Sequence, residues 1–204
     1  MTKHYKYSPS KMHRILECPG SADAEDTGEA GLAAERGTLL HGVAANLLLT
    51  GALDDAGLTK DEAYGVKAYA DYVNSWQEQI APCNRIVEET FVSFRIQDFG
   101  GTADAILVSE DTIHVIDFKT GRVPVDPYDN YQLMAYLILA KEKYPRAKKF
   151  YGSIVQPVVT SKPQAVEYEY DKLLDFNIAL LAALGSNDLA AGSHCRYCPL
   201  LPGC

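Results

Sequence analysis

"VIDFKTGR", residues 115–122, decides how this chain is read. Val115, Ile116 and Phe118 are apolar, and two of them are β-branched, the composition of a buried strand. Asp117 and Lys119 interrupt it two positions apart. On a strand they point to the same face of a sheet, where a buried charge is costly without a partner or a metal.

The stretch upstream, "GTADAILV" (101–108), makes a hairpin with "TIHVIDFK" (112–119). With Glu110 and Asp111 as the turn, partner numbers add to 221, so Val108 faces Ile113, Ile106 faces Val115 and Asp104 faces Asp117. A four-residue symmetric turn gives the same register. Opposed side chains have Cβ atoms about 4.5–5.5 Å apart, where two bare carboxylates repel. Lys119 supplies one positive charge, and a divalent cation between the carboxylates would supply the rest. Such a cluster suits phosphodiester hydrolysis: a metal polarises the phosphoryl oxygen and lowers the pKa of bound water, while an amine orients or deprotonates that water. The competing reading is a solvated strand end with ordinary charges. Gly100 and Gly101 allow close backbone approach or a bulge beside the acids, and are equally at home in a plain turn.

With 204 residues, 47% hydrophobic and 23% charged, the chain is expected to form one soluble domain, with N-terminal helices over 8–80, a sheet core over 85–184 and a cysteine tail over 190–204. There is no stretch of about 18 apolar residues, and no apolar signal region follows "MTKHYKYSPSKMHR", so a cytoplasmic location is expected. The net charge of −8 argues against a surface coated with basic residues for duplex DNA but leaves room for a local channel. Two basic runs qualify: Lys3, Lys6, Lys11 and Arg14, and the "KEKYPRAKK" run with Lys141, Lys143, Arg146, Lys148 and Lys149. Each is either a phosphate track or a solvated face.

Periodicity predicts a short helix from Pro9, capped by Ser8 and ended by Pro19-Gly20, with Cys18 at its end. A helix over 33–49 carries Leu39, Leu40, Val43, Leu47 and Leu48, with small Ala44 and Ala45 permitting close approach to a sheet, and stops at Gly51. Another, over 60–80, presents Ala63, Val66, Tyr69, Val73, Trp76 and Ile80 on one face. Strands follow over 85–95, 101–108 and 112–118, then a helix over 128–144, strands near 150–156 and 165–170, and a helix over 171–184.

The tail, "CRYCPLLPGC", spaces Cys195, Cys198 and Cys204 as C-x2-C-x5-C. Together with Cys18 these would make a four-cysteine site that pins the two ends of the fold. Zinc and an iron–sulfur cluster both accept four thiolates. The solitary Cys18 favours the cluster, because zinc ribbons use two close pairs, and His194 is an alternative ligand if zinc is bound. Cys83 has no clustered partner and reads as structural.

These residues resemble the PD-(D/E)xK nuclease superfamily, in its RecB/AddB-like branch with a C-terminal iron–sulfur cluster, which includes CRISPR-adaptation and phage exonucleases. "GGTADAILV" is similar to the G-x-x-D strand, "VIDFKTG" to the D-x-K strand, "QLMAY" (132–136) to the Q-x3-Y helix, and "ERGTLLH" to the helix that contributes a metal-binding histidine. The likeness runs from residue 8 to Cys204. It implies a restriction-endonuclease-like αβββαβ core with a mixed sheet flanked by helices. It further implies Mg2+ or Mn2+ on His41, Asp104, Asp117 and the Phe118 carbonyl, with Lys119 acting on the attacking water. Gln132 and Tyr136 would position the site or the DNA strand, and a [4Fe-4S] cluster would sit on Cys18, Cys195, Cys198 and Cys204.

Many relatives are fused to helicases, but no GxxxxGK[ST] loop occurs here, so a stand-alone nuclease of a phage or other mobile element, or one that borrows a recombination, replication or helicase partner, is expected. The leading expectation is a DNA exonuclease on single strands or duplex ends. The alternatives are a catalytically idle DNA-end-binding module and a zinc-stabilised interaction protein.

Overall fold

The computed structural model describes residues 5–24 and 31–204. Five strands, β1 (Asn84–Val92), β2 (Gly100–Val108), β3 (Thr112–Phe118), β4 (Lys149–Val155) and β5 (Ala165–Glu167), form one mixed sheet whose spatial order follows the chain. Neighbours pair antiparallel except β3 with β4, which are parallel. That pair needs a crossover, supplied by a helix over Tyr131–Lys143. In chain order the helices are α1 (Met12–Glu17), α2 (Leu32–Thr50), α3 (Lys60–Gln79), α4 (Tyr131–Lys143) and α5 (Tyr170–Leu184).

The helices cover both faces. Ile106, Val108, Ile113, Val115, Phe150 and Ile154 meet α1, α4 and α5 on one side. Ala105, Leu107, Ile116, Phe118 and Val155 meet Leu40, Ala44 and Leu48 of α2 and Val66, Tyr69 and Val73 of α3 on the other. All seven residues of β3 are buried, which is why its sequence is nearly unbroken apolar. An α/β architecture with a mixed sheet between helices is therefore as expected. No helix among the described residues is long and apolar enough to cross a membrane.

Several boundaries move for local reasons. α3 starts at a capping box: Glu62 N donates to Thr59 Oγ1 and the Glu62 carboxylate accepts from Thr59 N. α4 begins at Tyr131 rather than 128 because the Asn130 side chain accepts from Leu133 N. β1 ends at Val92, short of 95, because the Ser93 hydroxyl accepts from Arg95 N and Ile96 N and turns the chain. Ser8 makes no side-chain cap, and Pro9–Lys11 form a 3-10 turn ahead of α1. Leu39 is 46% exposed rather than on the buried face of α2, since Leu40, Ala44, Ala45 and Leu48 meet the core. The helix stops at Gly51, whose φ of 75° is costly for a residue with a Cβ.

The β2–β3 register is the expected one over Ala105–Ile116, Ile106–Val115, Leu107–His114 and Val108–Ile113. The ladder stops there. At the next position the Asp104 side chain intervenes, and Phe118 N donates to its Oδ2 at 2.7 Å. β1 and β2 likewise pair Val87 with Ala105 and Glu89 with Ala103, but Glu88 and Asp104 between them are not ladder partners, and Glu88 has φ of 50°. No residue is inserted, yet the pleat breaks: Ala103 and Ile106, three apart, face the same core, while Ala105 faces the other.

Candidate active site

The end of β3 carries a closed triangle. Asp117, 5% exposed, accepts from Gln132 Nε2 through Oδ1 at 2.8 Å, and Lys119 Nζ donates to Gln132 Oε1 at 3.0 Å. Asp117 Oδ2 lies 2.9 Å from Lys119 Nζ as an ion pair. Burial pushes the Asp117 carboxyl up to about 6, a rise that Lys119 opposes and Asp104 reinforces. Burial would lower the Lys119 amine, but Asp117 holds it above its ordinary value.

His41 comes from the other layer of helices. Its Nδ1 is 2.9 Å from Asp104 Oδ1 and its ring lies against Phe118, with centroids 5.3 Å apart. Alternation alone would aim Asp104 toward α4. The pleat break lets it reach α2 instead, so the two acids are not simply face to face. Burial works against the charged imidazole, but the Asp104 carboxylate raises His41 above its usual pKa.

Tyr136 is buried and donates to the Thr102 carbonyl at 2.5 Å, bracing β2 two residues before Asp104. The glycines serve close approach: a Cβ on Gly101 would lie 2.6 Å from Pro9 Cδ and 3.3 Å from the Tyr136 hydroxyl.

Ligand atoms of His41, Glu88 and Asp104 all lie within 4.8 Å of one another, the one such group of three among the described residues, and Asp117 stands outside it. Glu88 was not singled out in the sequence. It reads as an ordinary strand residue, and the only signal was its position directly opposite Asp104 once β1 is laid against β2. Two cavities flank the Lys119–Gln132 pair. One of about 510 Å³ includes Arg36, Gly37, Lys119, Thr120 and Arg122 in its lining, and one of about 280 Å³ includes His13, Tyr128, Tyr131 and Gln132.

The cysteine tail is brought to Cys18 only in part. Ser193–Tyr197 forms a 3-10 turn against α1, and Ala190 N donates to Cys18 Sγ and Gly192 N to Cys195 Sγ, each at 3.4 Å. No three of the cysteine sulfurs approach within 4.8 Å of one another, and all five cysteines are free thiols. His194 Nε2 is 2.9 Å from the Ala190 carbonyl. Cys83 lies elsewhere, its Sγ donating to the Gln77 carbonyl at 3.7 Å.

The basic runs are largely spent on local contacts. Lys141 donates to the Pro145 and Ala147 carbonyls, Lys143 pairs with Glu89, and Lys149 pairs with Asp111 at the far end of β3 from Asp117. In the N-terminal run Lys6 pairs with Asp23 and buried Arg14 donates to the Ser21 carbonyl, while Lys3 lies outside the described residues.

Solved structures resemble this fold at low identity. A chain described as a "Putative exonuclease" from Eubacterium rectale matches with a TM-score of 0.51 at 10% identity, over 94% of this chain and 88% of that one. An alkaline exonuclease (LHK-Exo) from Laribacter hongkongensis matches with a TM-score of 0.46 at 10% identity, over 90% of this chain and 89% of that one. SSO0001 matches with a TM-score of 0.46 at 15% identity, over 100% of this chain and 87% of that one. At these identities the likeness concerns the fold, and only the first is strong enough to support it. The sequence itself matches the family described as "Protein of unknown function (DUF2800)" across residues 4–204, and the chain belongs to that family.

Proposed function

We propose that this protein is a metal-dependent DNA nuclease of the PD-(D/E)xK type, acting as an exonuclease on single strands or duplex ends. The observation that carries the reading is the convergence of two carboxylates, an amine and an imidazole at one end of the sheet: buried Asp117, bound by Gln132 and paired with part-buried Lys119, stands beside Asp104 and His41. Two carboxylates and an imidazole gathered around a single ammonium fit a divalent cation. Mg2+ or Mn2+, held by Asp104 and Asp117 with His41 and the Phe118 carbonyl, would supply Lewis acidity toward a phosphoryl oxygen and an activated water.

The chain's own groups do the rest. Lys119, held by Asp117 and Gln132, presents its ammonium to the attacking water and the developing phosphorane charge. Gln132 keeps the acid and the amine in register, and Tyr136 fixes the strand that bears Asp104. The cavity lined by Thr120 and Arg122 offers a cationic and a hydroxyl group to the phosphates on one side of the scissile bond, Arg36 in the same lining being paired with Glu62. The aromatic side chains of Tyr128 and Tyr131 offer stacking surfaces on the other. The exonuclease element of the reading draws on the description of the Eubacterium rectale protein that shares this fold.

The cysteines are assigned to a structural [4Fe-4S] cluster on Cys18, Cys195, Cys198 and Cys204. One feature supports it: the backbone N–H groups of Ala190 and Gly192 already donate to sulfur, as they would to thiolate ligands.

The test is degradation of end-labelled single-stranded and duplex DNA with Mn2+ or Mg2+, beside Asp117→Ala. Metal-dependent loss of label that disappears in Asp117→Ala is the expected result. A folded, metal-supplied protein that releases no label would overturn the reading in favour of an idle end-binding module.

A further inference from the structure

We infer that Glu88 is a further cation ligand, which joins His41 and Asp104 in a donor set gathered beside Asp117. The inference rests on the nuclease reading and deepens it by assigning a ligand that neither the sequence motifs nor the resemblance supplies.

Convergence comes first. Nitrogen and oxygen donors from α2, β1 and β2 meet within 4.8 Å of one another. Three separate elements contribute one donor atom each, and all three types suit Mn2+ or Mg2+ chemistry, with the imidazole tilting the set toward Mn2+.

Charge comes second. Glu88 and Asp104 sit across from one another on adjacent strands, and both carboxylates come within 4.8 Å of the same His41 ring nitrogen. The cations that flank this stretch are committed elsewhere: Lys119 to Asp117 and Gln132, and Lys143 to Glu89. Two carboxylates face one imidazole, a deficit of positive charge that a divalent cation removes.

A buried orphan supplies independent support. The Tyr69 hydroxyl is buried without a hydrogen-bond partner among the described residues. Tyr69 stacks on Phe118, the residue against which His41 packs, and its hydroxyl lies in the field of Asp104, Asp117 and Glu88. Unpaired polar groups at this depth are rare and mark a place where water or an ion completes the network.

The experiment is Mn2+ titration by calorimetry on the full, iron-replete chain, comparing wild type with Glu88→Gln, Glu88→Gly and Glu89→Gln, with DNA cleavage measured in parallel. Both Glu88 variants are expected to lose Mn2+ affinity by at least about 10- to 100-fold, the loss typical of an outer-shell partner, and Glu89→Gln is expected to bind as wild type does. Glu88→Gly guards against a folding artefact. Glycine tolerates the φ of 50° better than glutamate, so this variant should resist urea at least as well as wild type while still losing affinity. Wild-type affinity in Glu88→Gln, with metal-dependent cleavage by wild type, would overturn the inference and leave the nuclease reading intact. Tight Mn2+ binding that depends on Glu88 in a protein that cleaves nothing would do the reverse.

Discussion

His114 sits in the middle of β3, wholly buried on the side of the sheet covered by α3, and it is the sharpest test of the electrostatics. Its Nε2 is 2.8 Å from Ser153 Oγ, which is also 2.8 Å from the Tyr72 hydroxyl, and its Nδ1 has no partner. Trp76 meets its ring edge-on at 4.5 Å. Burial alone pushes its pKa down to about 3. A folded pKa below the unfolded value of about 6.5 means stability that is complete above pH 6.5 and lost as pH falls toward 3. Between pH 7.5 and 5.0 the unfolded histidine takes up a proton that the folded one refuses, which amounts to about 2 kcal/mol at 1.36 kcal/mol per pH unit. Asp117 works in the opposite direction without a cation: raised to about 6, it favours the folded state as the solution is acidified, by about 1.4 kcal/mol over the same interval. His114→Phe keeps the ring against Trp76 and leaves Ser153 with Tyr72, so it should lie within about 1 kcal/mol of wild type at pH 7.5. Urea unfolding of both metal-free proteins at the two pH values separates the contributions, because the Asp117 contribution cancels in the comparison. Wild type should lose about 2 kcal/mol more than the variant on going to pH 5.0. Equal losses would refute the reasoning.

Two other substitutions probe the frame around the site. Gly101→Ala places a methyl 2.6 Å from Pro9 Cδ, and urea unfolding should show a loss of about 1–3 kcal/mol from overpacking; an unchanged midpoint would mean that the Pro9 segment yields without cost. Cys198→Ser should release iron and lower the thermal midpoint, while Cys83→Ser, outside the tail, should change neither; iron retained in full by Cys198→Ser would remove that residue from the ligand set.

What was legible in the sequence follows from how local the governing physics is. The β2–β3 register could be read because a tight turn and strict alternation determine it, and the Asp117–Lys119 contact because residues two apart share a face. Thr59 and Glu62 carried the S/T-x-x-E signature of a capping box in plain view. Glu88 was hidden for a physical reason: alternation presumes an unbroken pleat, and nothing in "VEETF" announces a glutamate with positive φ. The same break hid how His41, on the far layer, meets an acid that alternation aims at α4. Leu39 and Leu40 are indistinguishable by composition, and only the approach of Ala44 and Ala45 to the sheet decides which is buried.

The sheet order, identical to the order of the strands in the chain, separates the chemistry into parts of different origin. Glu88, Asp104, Asp117 and Lys119 travel together on one contiguous meander of hairpin-linked strands and the turn that follows it, whereas His41 and Gln132 are supplied by helices from opposite layers. The acids and the amine thus form a portable unit whose spacing is held by backbone ladders. The helices act as adjustable jaws. On the proposed nuclease reading, changing α2 would retune which cation is preferred, and changing α4 would retune how the amine is held, with the carboxylates left in place.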